Sequence, residues 1–248
     1  MKKIGLIPSR LNSSRLHQKA LKDIGGLPMF AHVYLRALQA SLDEVYLLTD
    51  SHEIEEVAKQ YNFNVLMTDP NHKNGTERCF EGAKGLNLND EDVIIDIQGD
   101  EPLINPSDIS NIVDFFSKNK YEIVVSIIKT TNFNNENTVK VAKTQNNKII
   151  YLSRKDIPSN SKSLYITKGL VAFNFKSLKK YINTDETELE ILEKHELQRC
   201  CENNFEIYGF EINYDSRAVD IEDDLEWVRH EIKKDLVFQN YSKLKPVK

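Results

Sequence analysis

The stretch IGLIPSRLNSSRLHQKAL, residues 4–21, sets the reading of the whole chain. Residues 4–8 form a short apolar run that ends abruptly in a polar, basic loop. Such a run reads as a buried strand that delivers its loop to one edge of a sheet. Downstream, Phe30, Val33, Tyr34, Ala37 and Leu38 recur at helical spacing and mark the face of a helix packed on that sheet. Residues 45–48 (VYLL) give a second strand, ending at Thr49 and Asp50. Ile54, Val57, Ala58 and Tyr61 then mark a second helix, and residues 65–67 a third strand. The order strand, helix, strand, helix, strand predicts right-handed parallel crossovers.

The same alternation continues along the chain. Residues 76–84 read as a helix, and residues 93–97 (VIIDI) as a strong strand ending in Gln98, Gly99, Asp100, Glu101 and Pro102. Polar groups at a strand end are where an open α/β sheet presents ligands. Ile109, Ile112, Val113 and Phe116 form a helical stripe, and residues 123–128 return to a strand. From 130 to 148 the chain is polar and rich in Asn, but residues 139–141 and 149–152 carry apolar runs that predict a hairpin around Asn146 and Asn147. Residues 170–175 and 205–212 read as strands, residues 178–181 and 188–201 as helices, and Leu225, Val228 and Ile232 as the face of a last helix. The expectation is one α/β domain over residues 1–239, with an elaboration at about 130–164 and a polar tail at 240–248.

Composition narrows the function. At 248 residues, the chain is long enough to build a substantial core without disulfide staples. Its 33 Lys and Arg against 38 Asp and Glu leave a net charge of −5, which argues against extended nucleic-acid binding while allowing a local basic pocket. The opening MKKIGLIPSR has too short an apolar run for a signal peptide, and no later run approaches a membrane span. Cys79, Cys200 and Cys201 fit neither zinc-ribbon spacing nor a paired disulfide pattern, so a reduced, cytoplasmic setting is expected.

Several residues carry chemistry beyond packing. Arg10, Arg15 and Lys19 put three cations near the end of the first strand, which suits the distributed charge of a triphosphate as well as a solvated basic loop. No Walker A sequence accompanies them, and Gly25 and Gly26 read as turn residues. Asp50 terminates the second strand, either facing a pocket or capping the helix of Ile54. Asp220 precedes the last helix, where a capping role competes with a ligand role.

Taken in order, IPSRLNSSRLHQKAL (7–21), HKNGTER (72–78), IQGDEP (97–102), VKV (139–141), YLSR (151–154) and VDIEDDLEWVR (219–229) resemble the 3-deoxy-manno-octulosonate (Kdo) cytidylyltransferases, the CMP-Kdo synthetases. The resemblance implies a Rossmann-like nucleotidyltransferase fold, with a mostly parallel mixed sheet and an inserted region that contributes to a homodimer. It also implies attack of a sugar-acid hydroxyl on the α-phosphorus of CTP, with release of pyrophosphate. Arg10, Lys19, Asp100 and Asp220 are then the catalytic candidates, and Arg10, Arg15, Lys19, Arg78 and Gln98 the nucleotide- and substrate-binding ones. Asp100 and Asp220 match the family's ligands for Mg²⁺, which reconciles carboxylates with a triphosphate. Arg154 is expected to bind the sugar acid or to organise its loop. No protein nucleophile is required, because alignment and charge neutralisation carry the reaction.

On the acceptor side the chain departs from the pattern. Thr167 and Val171 stand where a histidine and a tyrosine are common, and Leu197 where a glutamine is common. Lys168 and His195 are neighbours able to rebuild the pocket. Kdo is the leading acceptor, with its 8-amino-3,8-dideoxy analogue, another sugar acid, or an inactive CTP-binding protein as alternatives. The implied setting is the cytoplasm, ahead of membrane-bound polysaccharide assembly such as lipopolysaccharide synthesis.

Overall fold

In the computed structural model, which describes residues 1–13 and 15–247, β1 (Lys3–Pro8) runs into the basic loop. A two-stranded ribbon, β2 (Asp23–Ile24) and β3 (Leu27–Pro28), leads into α1 (Met29–Ala37). Then come β4 (Glu44–Thr49), α2 (His52–Gln60), β5 (Val65–Met67), α3 (Gly75–Lys84) and β6 (Val93–Ile97). They are followed by α4 (Pro106–Asn119), β7 (Ile123–Thr130), β8 (Lys140–Lys143), β9 (Ile149–Ser153) and β10 (Leu164–Asn174). The chain closes with α5 (Phe175–Ile182), α6 (Glu188–Glu193), α7 (Gln198–Glu202), β11 (Ile207–Glu211), α8 (Glu222–Glu231) and α9 (Leu236–Gln239).

The central sheet has the order β11-β7-β10-β6-β1-β4-β5. β1 pairs in parallel with β4 and β6, β4 with β5, and β7 with β11, whereas β10 runs antiparallel between β6 and β7. The sheet is therefore mixed but mostly parallel, as expected. Alternation along β1 sends Ile4 and Leu6 to one face and Ile7 to the other. On the Ile7 side the core is completed by α1, α2 and α4, and on the Ile4 side by α3, α5 and α7. Burying both faces explains why the strands read as continuous apolar runs.

The predicted hairpin forms from β8 and β9, and β8 also pairs with β10, which ties the elaboration to the main sheet. Two elements differ from the sequence reading. The helix expected over 188–201 is broken into α6 and α7, because Lys194 adopts a left-handed conformation (φ 52°) that ends α6. Arg199 of α7 then reaches back to Glu190 of α6 with two 2.6 Å hydrogen bonds, which fold the second helix against the first. The strand expected from residue 170 begins at Leu164 and carries an irregularity between Thr167 and Val171, where the polar residues Lys168 and Gly169 interrupt the apolar pattern.

Near the C-terminus, Tyr241 is buried, and its hydroxyl lies 3.1 Å from His32 Nδ1 and accepts from Arg36 Nε at 3.0 Å. Arg36 also donates to Asp235 at 2.8 Å and to the Ile104 carbonyl at 3.2 Å, so a buried guanidinium ties α1 to both the β6–α4 connection and the C-terminal segment.

Candidate active site

The C-terminal ends of β1 and β6 meet at the site. A Cβ on Gly99 would stand 2.5 Å from Ser9 Oγ and 2.7 Å from the Pro8 carbonyl oxygen, so only glycine allows the two strand ends to approach this closely. The loop after β1 is anchored by Leu16, which is buried with Val219, Leu225 and Val228, and by Ser13, whose hydroxyl donates to the Leu16 carbonyl. That anchoring brings Arg15 and Lys19 over the end of β6. Lys19 Nζ lies 2.8 Å from Asp100 Oδ2 and 3.4 Å from Asp220 Oδ1, and Arg15 Nη2 lies 2.8 Å from the same Asp220 oxygen.

The two aspartates are brought together by the backbone. The Val219 amide donates to the Asp100 carbonyl at 2.8 Å, setting the segment before α8 against the end of β6. Asp220 does not cap α8. Asp224 Oδ2 accepts from the amides of Asp220 and Ile221 at 3.0 and 3.1 Å, which leaves the Asp220 carboxylate turned to Arg15 and Lys19. Asp50 likewise is not a cap, since Ser51 Oγ accepts from the Ile54 amide and caps α2. Instead Asp50 receives Arg78 Nη2 at 3.1 Å, while Arg78 Nη1 donates to Thr68 Oγ1. Arg78 is buried, so this ion pair sets the first turns of α3 against the ends of β4 and β5.

Around these groups lies a cavity of about 210 Å³, lined by Arg10, Arg15, Lys19, Arg78, Gln98 and Asp100 among others. Asn74 and Gly75, at the N-terminus of α3, also line it, and Asn74 caps the helix by accepting from the Glu77 amide at 2.8 Å. Beside it lies a second cavity of about 820 Å³, over β7, β10 and the α6–α7 connection. Arg15, Gln98 and Asp220 line both. Two compartments therefore share one border; Arg10, Arg15, Lys19, Arg78, Gln98, Asp100 and Asp220 line the first, Arg154, Lys168 and His195 line the second, and Asp50 lines neither.

Two residues of this region, Glu101 and Asp96, were not singled out by sequence. Glu101 is buried, its Oε1 accepting from the Gly169 amide at 3.0 Å and its Oε2 from the Ser216 hydroxyl. Lys168 Nζ lies 3.7 Å from Glu101 and 2.7 Å from Asp215. Glu101 thus pins the irregularity of β10 that carries Lys168; its place beside Asp100 in IQGDEP was the available signal. Asp96 is fully buried in β6 and accepts from Gln98 Nε2 at 3.1 Å, while its other oxygen has no hydrogen-bond partner among the described residues. Burial, reinforced by the charge of Glu196, pushes its carboxyl up to about 8. A charged residue inside the apolar run VIIDI was its signal.

Arg154 organises its surroundings. Its guanidinium donates to the carbonyls of Asn137 and Lys194 at 3.0 Å and of Glu193 at 3.3 Å, joining β9 to the rim of the larger cavity. The buried Lys140 supports the same rim by donating to the carbonyls of Arg154 at 2.8 Å and Thr138 at 3.3 Å. Burial pushes the Cys79 and Cys200 thiols well up, which suits packing rather than nucleophilic work.

A family model described as cytidylyltransferase matches residues 4–213. The chain belongs to the cytidylyltransferase family. A 3-deoxy-manno-octulosonate cytidylyltransferase of Lawsonia intracellularis is 37% identical over 235 residues, spanning 91% of this chain and 92% of that protein. One of Rickettsia canadensis is 35% identical over 224 residues, spanning 89% and 92%. Among solved structures, a CMP:2-keto-3-deoxy-manno-octonic acid synthetase complexed with CTP matches with a TM-score of 0.89 at 29% identity, covering 95% of this chain and 100% of that one. Within this cytidylyltransferase no helix of the described residues is long and apolar enough to cross a membrane.

The donor set of the first cavity fits a magnesium ion. Mg²⁺ is usually held by one or two carboxylates together with substrate phosphates and water, not by a protein cage. Asp100 and Asp220, converging on one ammonium group, supply that number, and no cluster of three or more metal-ligating side chains occurs among the described residues.

Proposed function

We propose that this cytidylyltransferase transfers CMP from CTP to 3-deoxy-D-manno-octulosonate, releasing pyrophosphate, with Mg²⁺ held by Asp100 and Asp220. The observation that carries the reading is the border shared by the two cavities at Arg15, Gln98 and Asp220. A nucleotide in the smaller cavity and a sugar acid in the larger one meet there.

Each residue has a definite task in this scheme. Arg10, Arg15 and Lys19 bind the triphosphate and neutralise the charge that builds on the departing pyrophosphate. Arg78, fixed by Asp50, holds the start of α3 toward the nucleotide. Gln98, fixed by Asp96, borders both reactants. The acceptor's anomeric hydroxyl oxygen bonds to the α-phosphorus as the bond to the bridging oxygen of pyrophosphate breaks, and the hydroxyl proton passes to solvent. Bound Mg²⁺ supplies Lewis-acid neutralisation of phosphate charge. Alignment of two reactants across a fixed border accounts for much of the acceleration.

In this reading the enzyme acts in the cytoplasm as a homodimer and supplies activated sugar acid for surface polysaccharide. Ile191 and Leu192 of α6, 58% and 66% exposed, offer apolar surface for self-association. The deciding experiment incubates the purified protein with CTP, Mg²⁺ and either Kdo or its 8-amino analogue, recording pyrophosphate and product mass. CMP-Kdo supports the reading, exclusive use of the amino acid changes the acceptor, and CTP binding without turnover of either acid rejects it.

A further inference from the structure

Asp100 and Asp220 owe their positions to different causes. Asp100 lies just beyond β6, which the sheet holds between β1 and β10. Asp220 lies in the connection from β11 to α8, residues 212–221, which adds no strand to the sheet. Two backbone bonds attach this connection: the Ile212 amide donates to the Ile127 carbonyl at 2.9 Å, and the Val219 amide to the Asp100 carbonyl. Between them, side chains make the ties. Ser216 is buried, and its hydroxyl donates to Glu101 Oε2. Lys168 Nζ donates to Asp215 Oδ1 at 2.7 Å and stands 3.7 Å from Glu101 Oε1, which also accepts from the Gly169 amide at 3.0 Å.

Glu101 therefore joins the end of β6, the irregularity of β10 and the connection that carries Asp220. Because Glu101 directly follows Asp100, its contact with Ser216 runs beside the bond between Asp100 and Val219, and the two together fix the register of the connection against β6. Burial strengthens the tie. A carboxyl group only 4% exposed that loses a donor gains little water in exchange, so the contact is costly to break.

We infer that Ser216 and Lys168 are positioning residues for Asp220, holding it against Asp100 through the buried Glu101. The inference rests on the reading of Asp220 as a Mg²⁺ ligand. Neither residue touches the ion in that reading; each acts as the outer support of a ligand, a role whose loss typically costs about ten- to a hundredfold in metal affinity.

The test uses Ser216→Ala and Lys168→Met, with the more exposed Asp215→Asn as a milder third variant should either of the first two fail to fold. Hydrogen–deuterium exchange of residues 213–221, measured without metal or nucleotide, should quicken by about tenfold, the equivalent of one lost hydrogen bond. The Mg²⁺ concentration for half-maximal pyrophosphate release from CTP and Kdo should rise by about tenfold, while kcat at saturating Mg²⁺ stays near the parent's. A purely structural role would lower the melting temperature and leave the Mg²⁺ requirement where it was. Either change without the other, or neither, in a folded variant overturns the inference and leaves CMP transfer intact. Asp220→Asn is the reference: an unchanged Mg²⁺ requirement in that variant overturns Asp220 as a ligand and the inference with it, and no pyrophosphate release by the parent overturns the CMP-transfer reading as well.

Discussion

The Val219 amide donates to the carbonyl of Asp100 at 2.8 Å, a bond that joins residues separated by nearly half the chain. Through it, the segment before α8 delivers Asp220 to the strand end that already carries Asp100, and Lys19 bridges the two carboxylates. Removing either carboxylate charge should leave the backbone link standing. Asp100→Asn and Asp220→Asn are therefore expected to lower pyrophosphate release about a hundredfold, the loss typical when one preorganised electrostatic group is removed, with melting temperatures close to the parent's. Full activity in both variants sinks the assignment.

The buried Arg78 pairs with the half-buried Asp50, and a largely desolvated charge left without its partner is costly. Arg78→Met should destabilise the protein by about 3 kcal/mol and raise the KM for CTP. Denaturant titration reads the first effect and initial rates the second. An unchanged KM in a destabilised variant would reduce Arg78 to a structural role.

A Cβ at residue 169 would stand 2.7 Å from Glu101 Cδ and 3.0 Å from Gln98 Cβ. Gly169→Ala should consequently cost about 2 kcal/mol through overpacking. Because the clash falls on Glu101, it should also displace Lys168 and lower kcat/KM for the acceptor more than for CTP. Equal losses toward both substrates count against the Glu101 clamp.

Asp96 has its carboxyl pushed from 3.8 up to about 8, chiefly by burial. Its folded value lies above its unfolded one, so the native state retains a proton that the unfolded chain releases, and stability falls as pH rises from about 4 through about 8. Asp96→Asn should remove this dependence. Melting curves should show the variant gaining on the parent at pH 8 relative to pH 5, and a constant difference between the two pH values contradicts the assignment.

His32 shows the opposite sign. Burial between the Ile24 carbonyl, at 2.7 Å, and Tyr241 lowers it from 6.5 to about 4. The stability it contributes is complete above pH 6.5 and is lost as pH falls toward 4, because only the unfolded chain takes up the proton across that window. At about 1.4 kcal/mol per pH unit, the parent should lose about 2 kcal/mol between pH 7 and pH 5 through this residue. His32→Gln should lose correspondingly less in urea titrations at the same two pH values.

Sequence by itself determined the alternating α/β order, because two-sided burial writes strands as apolar runs such as IGLIP and VIIDI and helices as stripes such as Ile109, Ile112, Val113 and Phe116. It also determined which residue types wait at the strand ends, since Arg10, Arg15, Lys19, Gln98 and Asp100 follow their strands directly. Only tertiary structure decided the rest. Whether Asp50 and Asp220 cap helices or face partners depended on Ser51 and Asp224 taking the caps, a competition between adjacent side chains that spacing does not resolve. Strand β10 escaped full recognition because its irregularity replaces apolar alternation with Lys168 and Gly169. The pairing of Glu101 with Gly169 and the meeting of Asp220 with Asp100 depend on contacts between segments far apart in the chain, and local periodicity carries no record of such contacts.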